Sequence, residues 1–175
     1  DIYRWDVASY NLTFGPGNHV SELCTTRLVM LDTGNAQIAH SVQGRLPSML
    51  EHPDHEHLIL GMHHPPYPKF TGAGWTREDQ AQALLVEAAI AEADLIIAGH
   101  YHALRQFFAP IGDSMLRQII AGTGGADQGL GIPRYGYLRV ELAPGSMDVC
   151  FVEVPPLGST GPLHDPADSP VPYCD

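Results

Sequence analysis

The chain has 175 residues, enough for one domain of ordinary size and too few for two comfortable ones. Lys and Arg number 9 against 20 Asp and Glu, a formal net charge of -11 with His neutral. That balance argues against a nucleic-acid-backbone binder, which needs a basic patch to displace counterions. At 44% apolar the chain can form a core, and no apolar run approaches the ~18 residues of a membrane span.

Ten His outnumber Lys and Arg together and point toward metal chemistry or acid–base work. The three cysteines, Cys24, Cys150 and Cys174, are too few for a disulfide framework and too scattered for a CxxC metal knuckle. One disulfide, Cys150–Cys174 for instance, is open to them, and the odd thiol leaves the redox compartment undecided. Asn11-Leu12-Thr13 matches a glycosylation sequon of a kind common by chance. Asp stands at position 1 and no signal peptide follows, so the expectation is a processed chain or a piece of something longer.

Residues 7–14 alternate and carry β-formers, which predicts a strand with Gly15 to Gly17 as its turn. Residues 27–31 form a short apolar run leading into Asp32-Thr33-Gly34, a buried strand and its exit turn. Ile38, Val42, Leu46 and Leu50 recur at a spacing of four, predicting a helix over 36–51 broken near Pro47. Residues 57–62 read as a strand that Pro65, Pro66 and Pro68 forbid from continuing. Thr76 is a good N-cap for a helix over 77–93, and 94–98 is the next strand, broken by Gly99. Strands follow at 119–121, 137–142 and 149–154, the last two pairing as a meander. From Pro155 onward six prolines in eighteen residues describe an extended tail over 155–175, leaving residues 1–154 as the domain. The class is α/β, a layered sheet with covering helices.

Two buried strands end in histidines. The first delivers Met62-His63-His64-Pro65-Pro66-Tyr67, the second Gly99-His100-Tyr101-His102-Ala103-Leu104-Arg105. Sites in open α/β sheets form where loops leave the carboxyl ends of strands. If the helix between them makes these strands parallel, both histidine groups reach the same edge. A lone His is most often a packing or capping residue; three after two adjacent core strands favour a metal site.

These motifs resemble those of a known superfamily. His63-His64-Pro65-Pro66-Tyr67 and Gly99-His100-Tyr101-His102 look like the last two motifs of the calcineurin-like metallophosphoesterases, most of all the purple acid phosphatase branch. Leu31-Asp32-Thr33 and the glycine-rich Ile119-Ile120-Ala121-Gly122-Thr123-Gly124-Gly125 resemble its strand exits, so the likeness spans about residues 7–154. The resemblance implies part of a four-layer α/β/β/α sandwich and a dinuclear centre of two divalent or trivalent ions, Fe, Mn or Zn. His63 and His100 match ligands of the second metal and His102 a ligand of the first. His64 matches a variable position that reaches toward substrate phosphate, which makes it the catalytic candidate. A hydroxide held between the metals would attack a phosphate ester in line, with metal charge stabilising the developing negative charge. Localisation stays open, an extracytoplasmic setting being the one the resemblance favours.

The superfamily's earlier motifs, D-x-H, G-D and G-N-H-[DE], supply the remaining ligands and the bridging Asp. No D-x-H occurs here, Gly112-Asp113 lies after the H-x-H loop, and Gly17-Asn18-His19 is followed by Val20 rather than an acid. The chain therefore reads as the C-terminal half of such a phosphoesterase, and an uncovered sheet edge would favour self-association. Tyr67 and Arg105 are the substrate-binding candidates; aromatic packing and a surface salt bridge are their ordinary alternatives. Asp32 reads as a turn residue, and the Glu51-His52-Pro53-Asp54-His55-Glu56-His57 stretch as a solvated loop. Two other readings compete: a non-catalytic module that keeps the fold, and a mononuclear zinc hydrolase using His63, His100 and His102.

Overall fold

The computed structural model describes Leu12 and residues 16–51, 53–68, 74–124, 135–155 and 169–174. The strand expected over 7–14 lies outside these residues apart from Leu12, as does 156–168 of the proline-rich tail. Strand β1 (His19–Leu23) pairs antiparallel with β2 (Thr26–Leu31) across a tight turn in which Cys24 takes φ 52°. Gly17 to His19 thus leads into an edge strand, and Asn18 Oδ1 accepts the Asp32 backbone N–H at 2.8 Å.

The expected helix over 36–51 is two short helices, α1 (His40–Gln43) and α2 (Leu46–Leu50). The break falls at Gly44-Arg45 and not at Pro47, which sits in the first turn of α2 where its missing N–H is no loss. The apolar positions Ile38, Val42, Leu46 and Leu50 are all buried, so the periodicity marks the inward face across the break.

Strand β3 (His57–Met62) is buried throughout. Helix α3 (Glu78–Ile90) follows, burying Ala81, Leu84, Leu85 and Ala88 at i, i+3, i+4 and i+7. Thr76 is not its cap: the Thr76 hydroxyl and backbone N–H both donate to Ala36 O, at 3.0 and 2.8 Å. Arg77 stands at the cap position instead, and Glu78 and Asp79 offset the positive end of the helix dipole. The helix stops at Ile90, short of the expected 93, and Glu92 adopts φ 54°.

Strand β4 (Leu95–Ala98) is followed by a hairpin, β5 (Leu104–Ile111) and β6 (Ser114–Ala121), turning at Gly112 with φ 58°. β5 and the first half of β6 go beyond the expected 119–121. Strands β7 (Gly136–Ala143) and β8 (Ser146–Glu153) form the expected antiparallel pair.

Six strands make one mixed sheet in the order β1-β2-β3-β4-β6-β5, with β2, β3, β4 and β6 mutually parallel and antiparallel strands at both edges. Alternate side chains serve opposite layers. Leu58, Leu60, Met62, Ile96 and Ala98 pack with Val42, Leu50, Leu84 and Ala88 of the helices. Ile59, Leu95 and Ile119 pack the other way, against Val149 and Phe151 of the β7–β8 pair. Each fully buried Leu or Ile contributes about 1.5–3 kcal/mol relative to exposure, which is why apolar runs with no polar alternation were readable as strands. The fold is α/β, helices on one face of the sheet and a hairpin on the other.

Residues 169–174 are packed, not loose. Val171 is fully buried in the second core, Phe151 N–H donates to Pro172 O at 2.7 Å, and Cys174 N–H to Phe151 O at 3.0 Å. The Cys150–Cys174 disulfide closes this segment onto β8, while Cys24 is free and exposed.

Candidate metal centre

Because β2, β3, β4 and β6 are parallel, their carboxyl ends open on one edge of the sheet. That edge receives Asp32-Thr33, His63-His64, Gly99-His100 and Gly122-Thr123. Buried Thr33 organises the first junction. Its hydroxyl accepts the backbone N–H of His63 at 3.1 Å and of His64 at 2.8 Å, and its carbonyl accepts the His64 Nδ1–H. With Nδ1 committed as a donor, the lone pair of His64 lies on Nε2.

The second junction is a tight loop. Gly99 N–H donates to His63 O at 3.0 Å, tying the two histidine turns together, and Tyr101 N–H returns to Gly99 O at 2.8 Å. His100 takes φ 65°, a left-handed conformation that costs a side chain about 1 kcal/mol and turns its ring toward β3. Gly122 lies directly under this loop, where a Cβ would overlap the Tyr101 carbonyl.

Three imidazoles meet as a result. His63 Nε2 and His100 Nδ1 are 3.2 Å apart. The His64 and His100 rings lie 4.0 Å apart at 33°, and His63 stands edge-on to both at 4.8 and 5.1 Å. One ring nitrogen from each residue lies within 4.8 Å of the other two. Burial, and then the neighbouring His100, hold the His64 pKa down to about 4 against the upward pull of its Thr33 bond. Burial and His100 also lower His63, opposed by the charge of Asp32. His63 and His64 are therefore neutral nitrogen donors at pH 7.

This donor set fits a first-row ion. Two nitrogens bound tetrahedrally at 2.0–2.1 Å stand about 3.3 Å apart, close to the His63–His100 separation. It does not by itself supply two ions: no Asp or Glu among the described residues joins the group.

The remaining sequence candidates are more dispersed. His102 is exposed and outside the three-ring group, although its charge still acts on His63. Tyr67 is half-buried, edge-on to Phe107 at 6.3 Å, and its backbone N–H donates to the buried Gln118 side chain at 3.2 Å. Arg105 is exposed on β5 beside buried Leu104. Asp32 closes a turn on Gly34 N–H at 3.0 Å. Glu51 and residues 53–56 lie at the opposite end of β3 and are mostly exposed, as a solvated loop would be, whereas His57 begins the strand and is buried, with Nε2 donating to Ala143 O at 3.2 Å. Sequence reading missed Thr33 and Gln118 as supports. Spacing gives them no clear signal, since Thr33 follows Asp32 in a polar strand exit and Gln118 follows Arg117 within β6.

No protein-family model matches this sequence, and no curated protein sequence matches it. Solved structures do. The chain superimposes on the purple acid phosphatase PPD1 from yellow lupin (Lupinus luteus) seeds with a TM-score of 0.58 and 11% identity, over 78% of its length. At 11% identity the likeness is one of fold. The chain also superimposes on GAP50, the anchor in the inner membrane complex of Plasmodium, with a TM-score of 0.56 and 18% identity over 77% of its length. The chain spans 30% of the length of the former and 48% of the latter. Its helix layer, mixed sheet and hairpin correspond to half of a metallophosphoesterase-like sandwich.

Proposed function

We propose that the chain carries the histidine edge of a metal-dependent phosphoesterase acting on phosphate esters. The observation that carries this reading is the meeting of His63, His64 and His100 at the carboxyl ends of parallel β3 and β4, within a fold shared with a purple acid phosphatase. His63 and His100 would hold an ion at this edge. Fe, Mn or Zn bound there would polarise a phosphoryl oxygen and acidify water. Arg105 offers a guanidinium to the phosphate, and Tyr67 borders the same edge.

A chain without a carboxylate in its described donor group also supports a second reading, a module that keeps the fold and binds without catalysis. Hydrolysis of p-nitrophenyl phosphate and its diester analogue, with Mn, Zn or Fe added and then chelated, separates the two. Metal-dependent turnover lost in His100→Ala supports the phosphoesterase. Absence of turnover with every metal supports the binding module, and turnover unaffected by chelation overturns the metal-dependent reading.

A further inference from the structure

His64 follows directly the position that the phosphoesterase resemblance gives to a metal ligand, and the resemblance leaves its own position variable. Its surroundings are those of a ligand. The residue is 6% exposed, and its Nδ1–H is committed to the Thr33 carbonyl, the outer bond that commonly fixes the ring of a metal-binding histidine. Its ring lies 4.0 Å from that of His100, whereas His102, one residue beyond Tyr101, is exposed and outside the group.

We infer that His63, His64 and His100 together form a three-nitrogen site for a single divalent first-row cation, with His64 rather than His102 as the third protein ligand. Three imidazoles with room for water or an exogenous donor suit Zn(II) and Co(II), which accept tetrahedral nitrogen sets without a carboxylate. The 3.2 Å separation of His63 Nε2 and His100 Nδ1 already matches two corners of such a site. Binding replaces the hydrogen bond between those two nitrogens. The inference uses the same edge as the phosphoesterase reading but does not depend on it, since an ion bound here need not hydrolyse anything.

Titration of Co(II) into the 175-residue chain, read by its visible spectrum and reversed with Zn(II), tests this. One Co(II) per chain is expected, with the intense absorption of a four-coordinate ion. His64→Ala and His64→Gln should each weaken binding at least about 100-fold, more than the loss of an outer-shell partner would. His102→Ala should bind as the parent does. His64→Gln keeps a donor for the Thr33 carbonyl, so it becomes the deciding variant if His64→Ala fails to fold by far-UV circular dichroism. Undiminished binding in a folded His64 variant, two ions per chain, or no binding in the parent would each overturn the assignment. Assaying p-nitrophenyl phosphate in the same samples keeps the readings apart: one bound ion without hydrolysis defeats the phosphoesterase alone, and hydrolysis with two ions defeats this site alone.

Discussion

Thr33 and His64 are joined twice, the Thr33 hydroxyl accepting the His64 backbone N–H at 2.8 Å and the Thr33 carbonyl accepting the ring Nδ1–H. The first bond places the strand exit and the second orients the imidazole. Thr33→Val keeps the volume but leaves the His63 and His64 amides without their acceptor. Leaving buried donors unsatisfied costs about 1–3 kcal/mol, so urea unfolding should shift by that amount. Co(II) affinity should fall about 10–100-fold, the usual effect of an outer-shell loss. A Thr33→Val protein equal to the parent in both would remove Thr33 from the site.

The lowered pKa of His64 makes the metal-free protein acid-sensitive in a defined window. In the unfolded chain this imidazole takes a proton near its ordinary value of 6.5, while in the folded chain it stays neutral down to about 4. The unfolded state therefore binds more protons between those values, and stability rises with pH across them. Stability from this group is complete above pH 6.5 and is lost as pH falls toward 4. Urea midpoints of chelated protein at several pH values should show this slope, and His64→Gln should flatten it. An equal slope in that variant would assign the acid sensitivity to other groups.

Gly122 is a packing requirement of the histidine loop. Gly122→Ala places a methyl group inside the carbonyl of Tyr101, so the loop must move or the end of β6 must part from it. Co(II) binding should weaken and the melting temperature fall, since a clash with backbone cannot be relieved by a side-chain rotation. Normal binding and melting would show that the loop shifts freely.

The Cys150–Cys174 bond closes a sequence separation of 24 residues. Chain-entropy reasoning gives such a link about 3 kcal/mol. Reduction, or Cys174→Ser, should lower stability by that order and uncover Val171 and Phe151. Co(II) binding at the carboxyl edge of the sheet should survive. Loss of metal binding on reduction, at a temperature where circular dichroism is unchanged, would contradict this separation.

Strand β5 is an edge of the sheet among the described residues, with its own Phe108 50% exposed and Met115 61% exposed on the paired strand. Pro110 interrupts the edge but does not cover it. Sedimentation velocity should show concentration-dependent association that Phe108→Lys reduces. A clean monomer at all concentrations would mean that this edge is adequately protected.

Strands β3 and β4 were legible because both their faces are covered, one by helices and one by the hairpin, so nearly every position is apolar. β5 was not: Arg105, Gln106 and Pro110 break its pattern, and only its pairing with β6 makes it a strand. The Thr76 cap failed because a hydroxyl can serve either a helix N-terminus or a distant carbonyl, and here Ala36 wins. The histidines were visible as residue types after buried strands. Which three of His63, His64, His100 and His102 would lie together was not, since that depends on the left-handed turn at His100 and on the hold of Thr33 over His64. Neither contact leaves a mark in the spacing.

Cys24, the free exposed thiol, occupies the turn that begins β2, whereas Asp32-Thr33 leave that strand at its other end. Six strand residues at about 3.3 Å each place roughly 20 Å between the two ends. A maleimide dye or a surface tether on Cys24 would thus hold the molecule by its far rim, with the histidine edge facing solution. The protein brings its own attachment point for single-molecule or immobilised metal-binding work, and no residue of the site has to be altered to use it.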